Sequence, residues 1–185
     1  MNIVLIANII SFVGAVIMVV SGLLKTKRTI LIAQNIQFAI QAVGNILLGG
    51  YSGAAINLIS IVRNVFCVFV PFTWVWKLVF IAVQAGLTIW VNGIAVIGLL
   101  PLAAACIFTI FLDTKNDVLL KSVLTAAQVL WAIYDISIKN YAFFVFDILT
   151  IVSNLVAIFL MVRKGGKSAG KVQKSEAARK KAVSR

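Results

Sequence analysis

The chain is a succession of apolar runs broken by short polar punctuation. A run of roughly 17–25 mainly apolar residues is long enough to cross the hydrocarbon core of a bilayer as a helix. The pattern predicts seven such runs, at about residues 3–24, 29–48, 53–72, 76–90, 93–112, 118–138 and 141–162. Lys25-Thr26-Lys27-Arg28 ends the first and Gly49-Gly50 the second. The third stops near Pro71, and Asp113-Thr114-Lys115-Asn116-Asp117 ends the fifth. The fourth is expected to be the shortest. The first run lacks a preceding positive region and exceeds the roughly 7–15 residues of a signal-peptide core, so it reads as a membrane helix. No polar linker divides the apolar region. The expected organisation is one domain over residues 1–164 and a tail over 165–185. Gly165-Gly166 and Ser168-Ala169-Gly170 are expected to interrupt the seventh helix.

Composition strengthens this reading. Hydrophobic residues make up 62% of the chain and charged ones 12%, against about 45–50% apolar residues in soluble domains. The fold class is therefore an all-α membrane protein with seven transmembrane helices. The net charge of +12 is concentrated at one end, because the tail from Arg163 to Arg185 is rich in Lys and Arg. A basic segment after a membrane helix is placed to meet anionic lipid headgroups. The tail has no aromatic residue for stacking on bases, so nucleic acid is not expected as a partner. Lys25, Lys27, Arg28, Lys77, Lys115, Lys121 and the tail share one side of a seven-span chain, and Lys139 lies on the other. Excess Lys and Arg marks the cytoplasmic side, which predicts an N-terminus outside and a C-terminus in the cytoplasm. Histidine is absent, which removes the commonest metal ligand and general base. Cys67 and Cys106 lie within apolar runs and have no metal-binding spacing. No metal or other cofactor is expected.

The polar residues inside the runs repeat. A shift of 90 residues places Lys25 on Lys115, Tyr51 on Tyr141, Asn57 on Asp147, Ser60 on Thr150 and Asn64 on Asn154. Residues 3–72 and 93–162 thus read as two copies of a three-helix unit. A linker helix at 76–92 is then needed to give both the same orientation, a 3+1+3 parallel repeat. Gln34, Gln37, Gln41 and Asn45 share one face of the second helix by their spacing of three or four. Asn57, Ser60 and Asn64 do so on the third, with Arg63 beside them. Gln128, Trp131 and Asp135 recur on the sixth helix, and Asp147, Thr150 and Asn154 on the seventh. Lipid cannot satisfy such groups. As single residues they serve as hydrogen-bonding glue between helices. As a set they favour a polar cavity between the halves, and an indole such as Trp131 offers a stacking surface there.

Arg63 and Asp147 are the strongly charged residues well inside the spans. They satisfy each other as an ion pair, or Arg63 binds an anion and Asp147 carries a proton. Asp135, four residues before Lys139, is expected at the outer boundary in an interface pair. Asp135 and Asp147 are expected at different depths, where they would not share a proton. The Gly-x-Gly-Asp element of intramembrane aspartyl proteases is missing, as are nucleophile-elbow, phosphate-loop and zinc patterns. No enzymatic activity is expected.

Several features in order resemble a known family. They are the Gln- and Asn-bearing second helix, the turn Gly49-Gly50-Tyr51-Ser52-Gly53-Ala54, Asn57…Arg63-Asn64, Leu99-Leu100-Pro101, and Trp131 with Asp147…Asn154. The arrangement resembles the PQ-loop superfamily with its SWEET sugar transporters, and more closely the YgjV family of bacterial inner-membrane proteins. SWEET-type proteins use a tryptophan on the second helix of a triple and an asparagine on the third. Trp131 and Asp147 stand there in the second half, and Gln41 and Asn57 in the first. The resemblance implies a SWEET-like transporter or facilitator in the bacterial inner membrane. A small polar molecule would be bound between two three-helix bundles at Gln41, Asn57, Ser60, Arg63, Asn64, Gln128, Trp131, Asp147, Thr150 and Asn154. Alternating access would follow from rocking of the bundles, and a homo-oligomer is open to such a chain. The alternative is a non-transporting scaffold or receptor whose basic tail recruits a partner. A wet central pocket separates the first reading from the second.

Overall fold

The computed structural model describes residues 2–21, 27–112, 114 and 116–183, without the side chains of 20–21, 27–31, 117 and 164–183. Those residues form seven helices: α1 (Ile3–Ser21), α2 (Lys27–Leu47), α3 (Tyr51–Phe69), α4 (Trp74–Asn92), α5 (Val96–Phe111), α6 (Asp117–Ser137) and α7 (Tyr141–Val183). Four of the helices are long and apolar enough to cross a membrane, and Ile3–Val19 and Val96–Phe111 are shorter apolar helices. The expected end of the first run, residues 22–24, lies outside the described residues, as do Lys25 and Lys115.

Local chemistry sets the helix ends. Val70 precedes Pro71 and is extended, with φ −126° and ψ 135°, because the proline ring disfavours helical backbone in the residue before it. That stops α3 at Phe69, and α4 starts at Trp74. The fourth helix is therefore 19 residues long, and α5, at 16, is the shortest. Asn116 caps α6, its Oδ1 accepting from the amides of Val118 and Leu119, both at 3.1 Å. Such caps satisfy amides that have no partner within the helix. The expected interruption of the seventh helix does not occur, and α7 runs through Gly165-Gly166 and Gly170 to Val183. Each glycine costs about 1 kcal/mol relative to alanine but removes no hydrogen-bond donor, so the helix is weakened and not broken.

Polar groups are inside and apolar ones outside. Ile9, Phe12, Ile36, Leu58, Val62, Ile133, Leu149 and Val152 are exposed, whereas Gln37, Gln41, Asn45, Asn57, Asn64, Asp135 and Asp147 are buried. A helix bundle in lipid has this distribution, since only protein or enclosed water can satisfy polar side chains there. Small residues let the backbones approach: Ala7, Ser11 and Ala15, one helical turn apart on α1, are wholly buried, and a Cβ on Gly44 of α2 would lie 2.4 Å from Ser11 Oγ.

Six helices close into a ring. Packing runs from α1 to α2, α2 to α3, α3 to α5, α5 to α6, α6 to α7 and α7 back to α1, with α4 outside against α3 and α5. Lys77 in the first turn of α4 is buried. Its Nζ donates to the carbonyl of Ile110 at 2.8 Å and lies 4.5 Å from the centroid of the Trp74 ring. A cation at the C-terminal carbonyls of a helix is favourably placed, so Lys77 ties α4 to α5.

The two inter-helix turns share most of their backbone hydrogen bonds. The amide of Gly50 donates to the carbonyl of Asn45 at 2.7 Å, and 90 residues on Asn140 donates to Asp135 at 2.8 Å. Leu48 to Gly44 has its counterpart in Ile138 to Tyr134, and Gly49 to Ile46 in Lys139 to Ile136. Gly49 and Lys139 both have positive φ, 75° and 64°. Adding 90 to the bounds of α2 gives those of α6, and adding 90 to the start of α3 gives that of α7.

Candidate functional site

A cavity of ≈ 300 Å³ lies in the ring and takes side chains from all six of its helices. Its wall comprises Met18, Gln34, Gln37, Phe38, Ile56, Asn57, Ser60, Arg63, Ala104, Ala105, Phe108, Leu124, Ala127, Gln128, Trp131, Thr150 and Asn154. It sits toward the end of the ring where α1 meets α2 and α5 meets α6, since Gln34 is seven residues into α2 and Arg63 six before the end of α3. Small-molecule sites span roughly 300–1,000 Å³, so this one suits a small solute.

Arg63 is buried to 1% exposure. Its Nη1 donates to Thr109 Oγ1 at 3.1 Å and its Nη2 to Asn64 Oδ1 at 3.3 Å. The guanidinium carbon stands 5.0 Å from the centroid of the Phe108 ring, a cation–π distance. Thr109 passes its own proton to the carbonyl of Ala105 at 2.7 Å, so its oxygen is free to accept from the arginine. Asn64 Nδ2 continues the network to Gln34 Oε1 at 3.4 Å. Arg63 Nε has no hydrogen-bond partner. Asn57, 1% exposed on the same wall, leaves both its amide oxygen and its amide nitrogen unpartnered.

Asp147 is not Arg63's partner. Its Oδ1 accepts from Gln128 Nε2, which joins it to the cavity wall. The side chain of Asp147 instead meets that of Asp135. Asp135 lies near the end of its helix, as expected, but is wholly buried and makes no interface pair with Lys139. A difference in depth does not keep the two acids apart. Asp135 lies two residues before the end of α6 and Asp147 six after the start of α7. The offset of about 6 Å at 1.5 Å per residue is within reach of two side chains on packed antiparallel helices.

The opposite end of the ring is closed by contacts between the halves. Gly53 N–H donates to Tyr134 Oη at 2.9 Å, and Ser52 Oγ donates to the same oxygen at 3.4 Å. Gly50 gives α3 no side-chain cap, so the phenol from α6 caps the helix from across the ring. Glycine at 53 is required, because a Cβ would lie 2.6 Å from Tyr134 Cε1. Asn140 Nδ2 donates to Asn45 Oδ1 at 3.2 Å, and Asn8 Nδ2 donates to the carbonyl of Lys139 at 3.0 Å. Trp131, on the cavity wall, packs edge-on against Tyr134 with centroids 5.7 Å apart. Beyond this layer a surface hollow of ≈ 340 Å³ is lined by residues including Ile3, Leu48 and Ile138.

Of the sequence-derived site residues, Asn57, Ser60, Arg63, Gln128, Trp131, Thr150 and Asn154 line the cavity. Asn64 and Asp147 stand one hydrogen bond behind the wall. Gln41 is buried but off the cavity. Sequence reasoning left out Gln34 and Gln37, although they lie on the same polar stripe of α2. Phe108, Thr109 and Met18 carried no signal, because α1 and α5 are almost uniformly apolar.

The Imp-YgjV family, described as a bacterial inner membrane protein, matches residues 5–165. No curated protein and no solved structure matches the chain.

Proposed function

The chain belongs to the Imp-YgjV family of bacterial inner membrane proteins, and from that footing we propose that it carries a small polar solute across the membrane. The observation that carries this is Asn57. Leaving a buried polar group unpaired costs about 1–3 kcal/mol, and Asn57 leaves two such atoms on the wall of a cavity with an arginine one and a half turns away. Arg63 stays charged at any physiological pH and has no carboxylate partner among the described residues, which favours a solute bearing a negative group. Trp131 and Phe108 supply apolar surface for the rest of it.

The SWEET-like 3+1+3 description, two three-helix units joined by α4, is supported by the matching turns. Rocking of the units would part Tyr134 from Gly53 and Asn45 from Asn140, and would close the other end. Under the expected orientation, with the basic tail cytoplasmic and against anionic headgroups, the cavity faces the cytoplasm.

The test is a thermal-shift screen of purified protein against small carboxylates, phosphates and neutral polar solutes. Any hit is then carried into uptake by proteoliposomes. A solute that raises the melting temperature of wild type but not of Asn57→Leu, and is taken up, supports transport. Binding without uptake would leave a receptor, and the absence of any hit would favour the scaffold reading.

A further inference from the structure

We infer that Asp135 and Asp147 form a proton-binding site, one carboxylic acid hydrogen-bonded to one carboxylate, joined to the cavity through Gln128. The two side chains are in contact, and their exposures are 0% and 1%. Both oxygens of Asp135 and Oδ2 of Asp147 have no donor among the described residues. Gln128 supplies the one donor, to Asp147 Oδ1. Two buried carboxylates side by side cannot both be ionised, and a shared proton is what such pairs hold. That proton also provides the missing donor, so a single addition removes a repulsion and satisfies an orphaned oxygen.

Among the described residues no cation is placed to do this work instead. The helices packed against the pair are α1, on α7, and α5, on α6. Neither contains a charged residue, and Cys106 is the titratable group of α5. On α6 the adjacent titratable group is Tyr134, whose hydroxyl is engaged by Gly53 and Ser52. On α7 the next charged residue is Arg163. Lys139, at the turn, is exposed. Arg63 is held by Thr109 and Asn64.

The repeat shows that the acids are not demanded by the fold. Asn45 and Asn57 stand at the equivalent positions of the first half, where neutral amides suffice. The acid pair therefore belongs to one half alone. Its neighbours give it two outlets. Gln128 reaches the cavity, and Tyr134, next in sequence to Asp135, belongs to the closed end. Loss of the proton leaves two negative charges in contact and drives α6 and α7 apart where Tyr134 holds α3. Proton binding by the pair stands without the transport reading; coupling of the proton to solute movement rests on it.

Infrared difference spectroscopy on purified protein tests the site. Wild type at neutral pH should show the carbonyl stretch of a protonated carboxylic acid, shifted when the aspartates are isotope-labelled at the side-chain carboxyl carbon. The measurement on labelled wild type needs no variant to fold. Asp113 and Asp117 stand in the polar stretch Asp113-Thr114-Lys115-Asn116-Asp117 of the sequence and should not contribute. The double change Asp135→Asn with Asp147→Asn, checked for monodisperse elution, should abolish the band, because neither acid remains. Absence of the band in labelled wild type overturns the proposal. So does its survival in the double variant, which would put the proton elsewhere. Loss of the band when sodium replaces choline would assign the site to a metal cation and overturn it too. None of these results depends on finding a transported solute.

Discussion

Tyr134 offers the sharpest test of how the two halves are held together. Its hydroxyl, contributed by α6, accepts the amide proton of Gly53 in the first turn of α3 at 2.9 Å. Phenylalanine keeps the ring, the volume and the edge contact with Trp131, so Tyr134→Phe creates no cavity. What it removes is the phenol's cap on α3, and it leaves a buried N–H without a partner. An orphaned buried donor costs about 1–3 kcal/mol, whereas Ser52 can rotate its hydroxyl and adds little. The expected loss is therefore about 1–3 kcal/mol, which corresponds to a 5- to 150-fold shift in the equilibrium between joined and parted halves. Two measurements report it. Thermal melting in detergent gives the stability change. Double electron–electron resonance between labels at Tyr51 and Tyr141, equivalent and exposed positions, gives the separation of the turns once Cys67 and Cys106 are replaced. The Phe variant should melt lower and show a wider distribution. Gly53→Ala should do the same with the hydroxyl present, since its Cβ would meet Tyr134 at 2.6 Å. A Phe variant with wild-type melting and an unchanged Tyr51–Tyr141 distribution would falsify the idea that this phenol joins the halves.

Three further outcomes are expected. Arg63→Met should fold and melt close to wild type, because replacing a buried charge by an apolar side chain of similar length is often neutral or stabilising. Combining it with Asp147→Asn should be additive within about 0.5 kcal/mol, as for sites without shared partners; rescue of one change by the other in thermal melts would restore the ion pair that the geometry rejects. Truncation after Lys164 should leave a monodisperse protein by size-exclusion chromatography, since the tail sequence is rich in charge and poor in apolar residues; aggregation would mean that it packs on the ring. A reporter fused after Arg185 should be active only if it is a cytoplasmic one, because the basic residues gather on that side, and periplasmic activity would invert the orientation.

Apolar run length and local punctuation determined a good deal by themselves. Helices in lipid must satisfy their own backbone, so the span pattern maps directly onto α1 to α7, and Pro71, Gly93 and Asn116 mark ends or caps by short-range sterics and hydrogen bonding. The polar stripes were legible for the same reason: Asn57, Ser60 and Asn64 share a face at helical spacing, with Arg63 beside them, whatever the neighbours are. The 90-residue echo in sequence reappears as two turns that share most of their backbone hydrogen bonds. What the sequence could not decide is which stripe faces which. Ring order depends on packing between distant helices, and that order put Thr109 and Phe108, on an apolar α5, against Arg63 while withholding Asp147 from it. Depth was equally out of reach. Counting residues from a boundary set Asp135 at the surface beside Lys139, but the turn folds over it and α7 lies against it, so two carboxyls a few ångströms apart in depth meet side by side. Gly53 reads as part of a small-residue turn in the sequence; only the phenol of Tyr134, arriving from 81 residues away, explains why no side chain fits there.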